Sequence, residues 1–100
     1  MATTTTVLAR AAAATSSTTL YTVPSATTTV VTNIVVTNTS ASNQSYTLSL
    51  GGVVFADTIT ITAKDTILID LKQVLVATNT ITGFASATSV NFHISGVEIS

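Results

Sequence analysis

LYTVPSATTTVVTNIVVTN, residues Leu20 to Asn38, is the stretch whose reading decides the fold. It reads as a strand, a proline turn and one long strand with no charge along it. Pro24 lacks an N–H and fixes its own φ, so it ends a first strand over Thr19 to Val23. From Thr28 onward Val30, Thr32, Ile34 and Val36 share one face, and Val31, Asn33 and Val35 share the other. Two-residue alternation of β-branched side chains is a strand signal. Apolar residues on both faces predict a central strand. The even face is expected to fill a core, and the odd face, with Val31 and Val35, then needs cover from another segment or a partner.

Working outward, the same grammar recurs. Tyr46, Leu48 and Leu50 alternate with Thr47 and Ser49, and Gly51-Gly52 supplies the positive φ of a tight hairpin turn. Short strands are predicted over Val53 to Ala56, Thr58 to Thr62 and Ile67 to Leu71, with Lys72 to Val76 open between more strand and a helical turn. Ile81 to Ser86 follows, with Gly83 as a bulge or a close backbone approach. In the last strand Val90, Phe92 and Ile94 share a face that Val97 and Ile99 continue one residue out of phase, so a bulge is expected at Gly96. About eight strands at this spacing predict an all-β, antiparallel β-sandwich, jelly-roll or immunoglobulin-like in connectivity.

In the other direction the chain loses apolar weight. Residues 1–18 are Thr, Ala and Ser with only Val7 and Leu8 as bulk, and four alanines from Ala11 make at best an isolated helical turn. This stretch is expected to be an extended N-terminal arm, free or ordered on a neighbouring subunit, with residues 19–100 forming the sandwich domain. Val7 and Leu8 in the arm, with Val31 and Val35 on the long strand, are the candidate interface residues.

Composition limits the function classes. Charged residues are 7% of the chain, against about 25% in ordinary soluble domains. Threonine takes their place, at 23 of 100 positions. A near-neutral hydroxyl surface is poorly protected against association. Three basic residues, Arg10, Lys64 and Lys72, make no patch for a phosphate backbone, so no nucleic-acid partner is expected. There is no cysteine for a disulfide or a thiolate metal site. No apolar run approaches a membrane span, and the N-terminus lacks the basic and apolar regions of a signal peptide. The chain is therefore expected to stay in a cytoplasm until whatever it joins is released, with no membrane partner.

No constellation of reactive groups survives inspection. His93 with Asp70 and a serine makes a triad only on paper, because no nucleophile-elbow sequence accompanies it. Asp57, Asp65, Asp70 and Glu98 are dispersed, without a pair at metal-ligand spacing. Asn38-Thr39-Ser40 and Asn43-Gln44-Ser45 match glycosylation sequons but read more simply as loops. The Thr58, Thr60, Thr62 row occurs once and reads as solvent-facing strand. No catalytic, cofactor or metal residues are assigned, and the chain is expected not to be an enzyme.

The run MATTTTVLARAAAATSSTTLYTVPS, the strand VVTNIVVTNTS and the ending HISGVEIS resemble small virion proteins of tailed bacteriophages. The resemblance implies a non-catalytic structural protein of the virion, assembled in the host cytoplasm. It implies first a capsid decoration (cement) protein, a homo-oligomer whose partners are other virion proteins, the major capsid protein foremost. The alternative is a tail- or fibre-associated subunit with a host-surface carbohydrate-binding role.

Overall fold

The computed structural model of the chain describes residues 2–100. Its strands are β1 (Thr3–Ala12), β2 (Thr18–Thr22), β3 (Thr28–Asn38), β4 (Gln44–Leu50), β5 (Val53–Ile61), β6 (Thr66–Leu75), β7 (Thr80–Ala85) and β8 (Val90–Ile99). They form two four-stranded sheets, A in the order β1-β8-β3-β6 and B in the order β2-β7-β4-β5. All pairings are antiparallel, and among the described residues there is no helix.

The pairs β1·β8, β2·β7, β3·β6 and β4·β5 are nested, so the second half of the chain runs back along the first. The β8·β3 and β7·β4 pairings roll this long hairpin into two facing sheets. That is jelly-roll connectivity, which decides between the two arrangements the spacing allowed. The apex is Gly51-Gly52, at φ of 58° and 82°, both in the left-handed region a tight hairpin requires. The sandwich is elongated, 46 × 21 × 18 Å.

Its core lies between the sheets. Phe92, Ile34 and Ile94 from sheet A face Leu48, Ile81 and Ile61 from sheet B, all buried. Tyr46 meets Phe92 edge-on across the sandwich, with ring centroids 6.3 Å apart and an interplanar angle of 72°, a geometry the ring quadrupoles favour. At the end of β3 the buried Asn38 side chain acts as a polar hub. Its Nδ2 donates to the carbonyls of Ser42, Ile61 and Thr62, and its Oδ1 accepts from the Ser40 N–H and hydroxyl. Those bonds satisfy the amide of Asn38, which would otherwise be buried unpaired.

The structure corrects the sequence reading at four places. The first is the N-terminal arm. Residues 3–12 are not a separate arm but the edge strand β1, paired along β8 from Thr3↔Ile99 to Ala12↔Asn91. Met1 lies outside the described residues. The physical reason is Leu8, an extra residue between Val7 and Ala9 in the register, which turns its side chain into the core. The chain then crosses to sheet B with Ala13 buried, its N–H bonded to the Val90 carbonyl at 2.8 Å.

The second correction concerns the long strand. Thr32 is an extra residue against β8, between Val31 and Asn33, whereas against β6 the extra residue lies in β6, where Leu71 and Lys72 together oppose Thr32. Thr29 and Val31 therefore point inward before the bulge, and Ile34, Val36 and Asn38 after it. Val30, expected in the core, lies on the outer face, and Val31 is fully buried under sheet B.

Third, β8 itself is unbroken at Gly96, and its neighbours carry the bulges, at Leu8 and Thr32. Gly96 faces inward beneath both. Fourth, the two short strands read over Val53 to Thr62 are one strand, β5. Asp57 and Thr58 together oppose Thr47, with Thr58 at a φ of 50° and its N–H capped by the Thr47 hydroxyl at 3.0 Å. A bulge there resembles a turn in sequence.

Candidate functional site

The two long sides of a sandwich are its sheet edges, and here they differ. On the β1/β2 side the chain itself seals the gap, with Ala13 bonded to Val90 of sheet A and Ala14 accepting from the Ala85 N–H of sheet B at 2.9 Å. Tyr21 ties the sheets further. Its hydroxyl donates to the Glu98 carboxylate of β8, and the buried Thr29 hydroxyl of β3 donates to it at 2.9 Å.

That clamp leaves a pH signature. Burial, followed by the Glu98 hydrogen bond, raises the Tyr21 phenol above its ordinary value of 10.0, and burial raises Tyr46 likewise. A raised phenol favours the neutral form in the fold. Its contribution is therefore complete below about pH 10 and is lost as pH rises through the folded-state value. Tyr21→Phe is expected to cost about 1–2 kcal/mol at neutral pH, the size of a hydrogen bond to a charged acceptor at a half-buried site. It should also flatten the alkaline decline without removing it, since Tyr46 remains. Thermal unfolding of both proteins between pH 7 and pH 11 checks this.

The β5/β6 side is open. Both strands are sheet edges. Between them lies an apolar cleft of about 270 Å³ lined by Leu50, Val53, Phe55, Ile69, Leu71 and Gln73. Large apolar side chains are exposed around it: Val53 at 70%, Leu68 at 66% and Val74 at 62%. The local cause is a pair of bulges in β5, Phe55 opposite no residue of β4 and the Asp57-Thr58 bulge, which take β5 out of regular pairing. Monomeric proteins rarely leave a continuous apolar side uncovered, so such a side marks an interaction surface.

Of the sequence-predicted interface residues, Leu8 and Val31 are taken up by the chain's own core. Val7 is exposed on β1, and Val35 is half-buried on the outer face of sheet A. There Val35 stands in a cross-strand row with Arg10, His93 and Leu68. The fold does not gather these four residues into one site. The β5/β6 side went unpredicted, although Leu68 on the face opposite Ile67, Ile69 and Leu71 is a signal of two-sided apolar character.

The reactive side chains stay apart. His93 on β8 and Asp70 on β6 are separated by β3. Among the described residues no three His, Asp or Glu side chains come together. Asn38 is buried, and the exposed Asn43 accepts the Ala63 N–H through Oδ1 at 3.1 Å. The aromatic side chains Tyr46 and Phe92 are interior, while Phe55 is partly exposed at the cleft.

No protein-family model matches the chain, and no curated protein matches it. Among solved structures, the chain is similar to a pentameric capsid protein isolated from metagenomic phage sequences. The superposition covers 96% of this chain and 59% of that one, at 16% identity and a TM-score of 0.38. The chain thus spans less than two thirds of that protein's length. A likeness this distant assigns neither a family nor a role.

Proposed function

We propose that the chain is a non-catalytic structural subunit of a phage virion, a decoration (cement) protein that binds the assembled shell as a closed homo-oligomer. The observation that carries this reading is the uncovered apolar side between β5 and β6, on a sandwich with almost no surface charge to oppose contact. Three further points support it. The sequence resembles small tailed-phage virion proteins in its start, its long strand and its ending. Jelly rolls build viral capsid domains, although they also serve lectins and cupins, so fold alone does not decide. Closed homo-oligomers fit the symmetry axes of a shell.

The test is binding. The purified chain is expected to elute well above its 10.2 kDa monomer mass, to co-sediment with purified shells of the parent phage, and to raise the temperature at which they rupture. A monomer that stays in the supernatant would end this reading.

A further inference from the structure

The two ends of the sandwich differ in chemistry. At one end the β4/β5 turn lies beside the β6/β7 turn, the Gly51 N–H donating to the Thr80 carbonyl at 2.8 Å. The β2/β3 turn joins them through the Val23 N–H, which donates to the Asn79 carbonyl at 2.9 Å. At the opposite end the β5/β6 turn bonds the β3/β4 loop, Lys64 N–H to the Ser40 carbonyl and Asn38 N–H to the Asp65 carbonyl. Lys64 and Asp65 stand at that second end, and Arg10, Asp57 and Asp70 lie within the strands. Lys72 comes nearest the first end, two residues before Val74. Among the described residues, Glu98 is the one charged side chain at the Gly51-Gly52 end, and the Tyr21 hydroxyl holds it.

The same end carries most of the exposed apolar bulk. Val53, Val54 and Phe55 follow the glycines on β5, and Val74 and Val76 approach the β6/β7 turn, all of them exposed. Val74 also ends a cross-strand row with Val30 and Val97 on the outer face of sheet A. The apolar cleft reaches this end, since Leu50 and Val53 flank the glycines and line it. Its bordering strands do not invite another strand. β5 is bulged at Phe55 and at Asp57-Thr58, and β6 at Leu71-Lys72 opposite Thr32. Such irregularities blunt a sheet edge against pairing. Contact here is therefore made by side chains.

We propose that copies of this chain associate through the Gly51-Gly52 end, packing Val53, Val54, Val74 and Val76 around a symmetry axis with the Lys64-Asp65 end directed away. The proposal rests on the homo-oligomer of the proposed function and names its surface. Charge selects the occupant. An unlike protein partner is recognised largely by complementary charge, and this end has no free side-chain charge to offer. Around a symmetry axis a charge meets its own kind, so an end without one suits a second copy. Surfaces that enter a bilayer carry Trp or Tyr anchors and basic side chains. Here there is no Trp, Tyr46 is buried, Tyr21 is bonded to Glu98 and Thr29, and no Lys or Arg stands at the tip among the described residues. Size sets the geometry. The sandwich is 21 × 18 Å in cross-section, and a stable interface takes about 800 Å² per partner, so ends meeting squarely would not suffice. The copies must meet obliquely, adding the Val74 row and the Phe55 cleft beside the tip.

Charge insertion tests it. Val53→Asp and Val76→Asp each set a carboxylate at the axis, on two different turns, in place of side chains the fold leaves exposed. Each is expected to weaken self-association about tenfold or more by sedimentation velocity, with unchanged circular dichroism. Val76 lies outside the strands, so V76D decides the matter if V53D disturbs β5. Leu68→Asp is the control. Leu68 is as exposed as Val53 and Val76 but stands in the row of Arg10 and His93, nearer the other end, so self-association should keep its wild-type strength. A wild type that associates, with V53D and V76D associating equally well, would overturn the end contact while leaving the homo-oligomer standing. A loss in L68D matching theirs would do the same. A monomeric wild type would overturn both readings. A monomer that floats with phosphatidylcholine vesicles, and fails to do so as V53D, would overturn the second-copy occupant in favour of a lipid surface.

Discussion

Deleting residues 2–12 is expected to abolish cooperative unfolding, where loss of a free arm would leave the transition unchanged. β1 pairs with β8 from Thr3 to Ala12, and its bulge places Leu8 in the core against the inward face at Gly96. Truncating one buried leucine to alanine costs about 2–5 kcal/mol, and a domain of this size holds about 5–15 kcal/mol in total. Deletion removes that leucine, the packed Ala9 and the whole ladder along β8. It also bares an edge of β8, the strand that carries Val90, Phe92 and Ile94 into the core. Urea unfolding followed by circular dichroism should show a broad, non-sigmoidal loss of signal. A sharp transition at the wild-type midpoint would return residues 2–12 to the status of an arm.

Gly96→Val should be the most damaging single substitution in the chain. A Cβ at this position would stand 2.4 Å from the Val30 carbonyl oxygen and 2.9 Å from Leu8 Cδ1. The first of these is backbone held in the β3·β8 ladder, so relief requires breaking the pairing rather than rotating a side chain. The expected loss is about 3 kcal/mol or more, at the upper end for overpacked cores. Gly51→Ala is the control. There the added Cβ meets nothing closer than 3.8 Å, and only the positive φ of 58° opposes it, a penalty of about 1–2 kcal/mol. Melting temperatures of the two variants should fall in that order. The reverse order would mean that Leu8 and Val30 do not converge on Gly96.

Much of the fold was legible because it is written locally. The uncharged alternation of β3, the Gly51-Gly52 apex and the Val90, Phe92, Ile94 face of β8 each depend on neighbours two residues away. Of the two readings open for Gly83, a bulge or a close backbone approach, the structure shows the second, an added Cβ falling 2.7 Å from Leu48 Cδ2 and 3.2 Å from the Thr47 carbonyl oxygen. What was not legible depends on residues far apart in the chain. β1 has a single large core residue, and only pairing with β8 at the other end of the sequence makes it a strand. The bulge at Thr32, which exchanges the faces of Val30 and Val31, leaves no mark in a run of β-branched residues. The expected count of about eight strands matches the observed one, yet it came from dividing β5 at Thr58 and leaving out β1.

The candidate site divides along the same line. Val7 and Val35 could be read as outward residues, but nothing within β5 or β6 says that both are edges. Edge status is a property of the nested pairing, which places the partners of β4 and β3 on the same side of the sandwich with no strand beyond them among the described residues. Once that order is known, Leu68 and Val74 change from unremarkable strand residues into half of an uncovered surface.

The most direct measurement is a cryo-EM reconstruction of the assembled particle at a resolution that separates strands. The expected result is this jelly roll on the shell at a symmetry axis, with its β5/β6 side buried. A particle without the chain, or one whose copies attach by another face and leave Leu68, Val74 and the Phe55 cleft open to solvent, would contradict it.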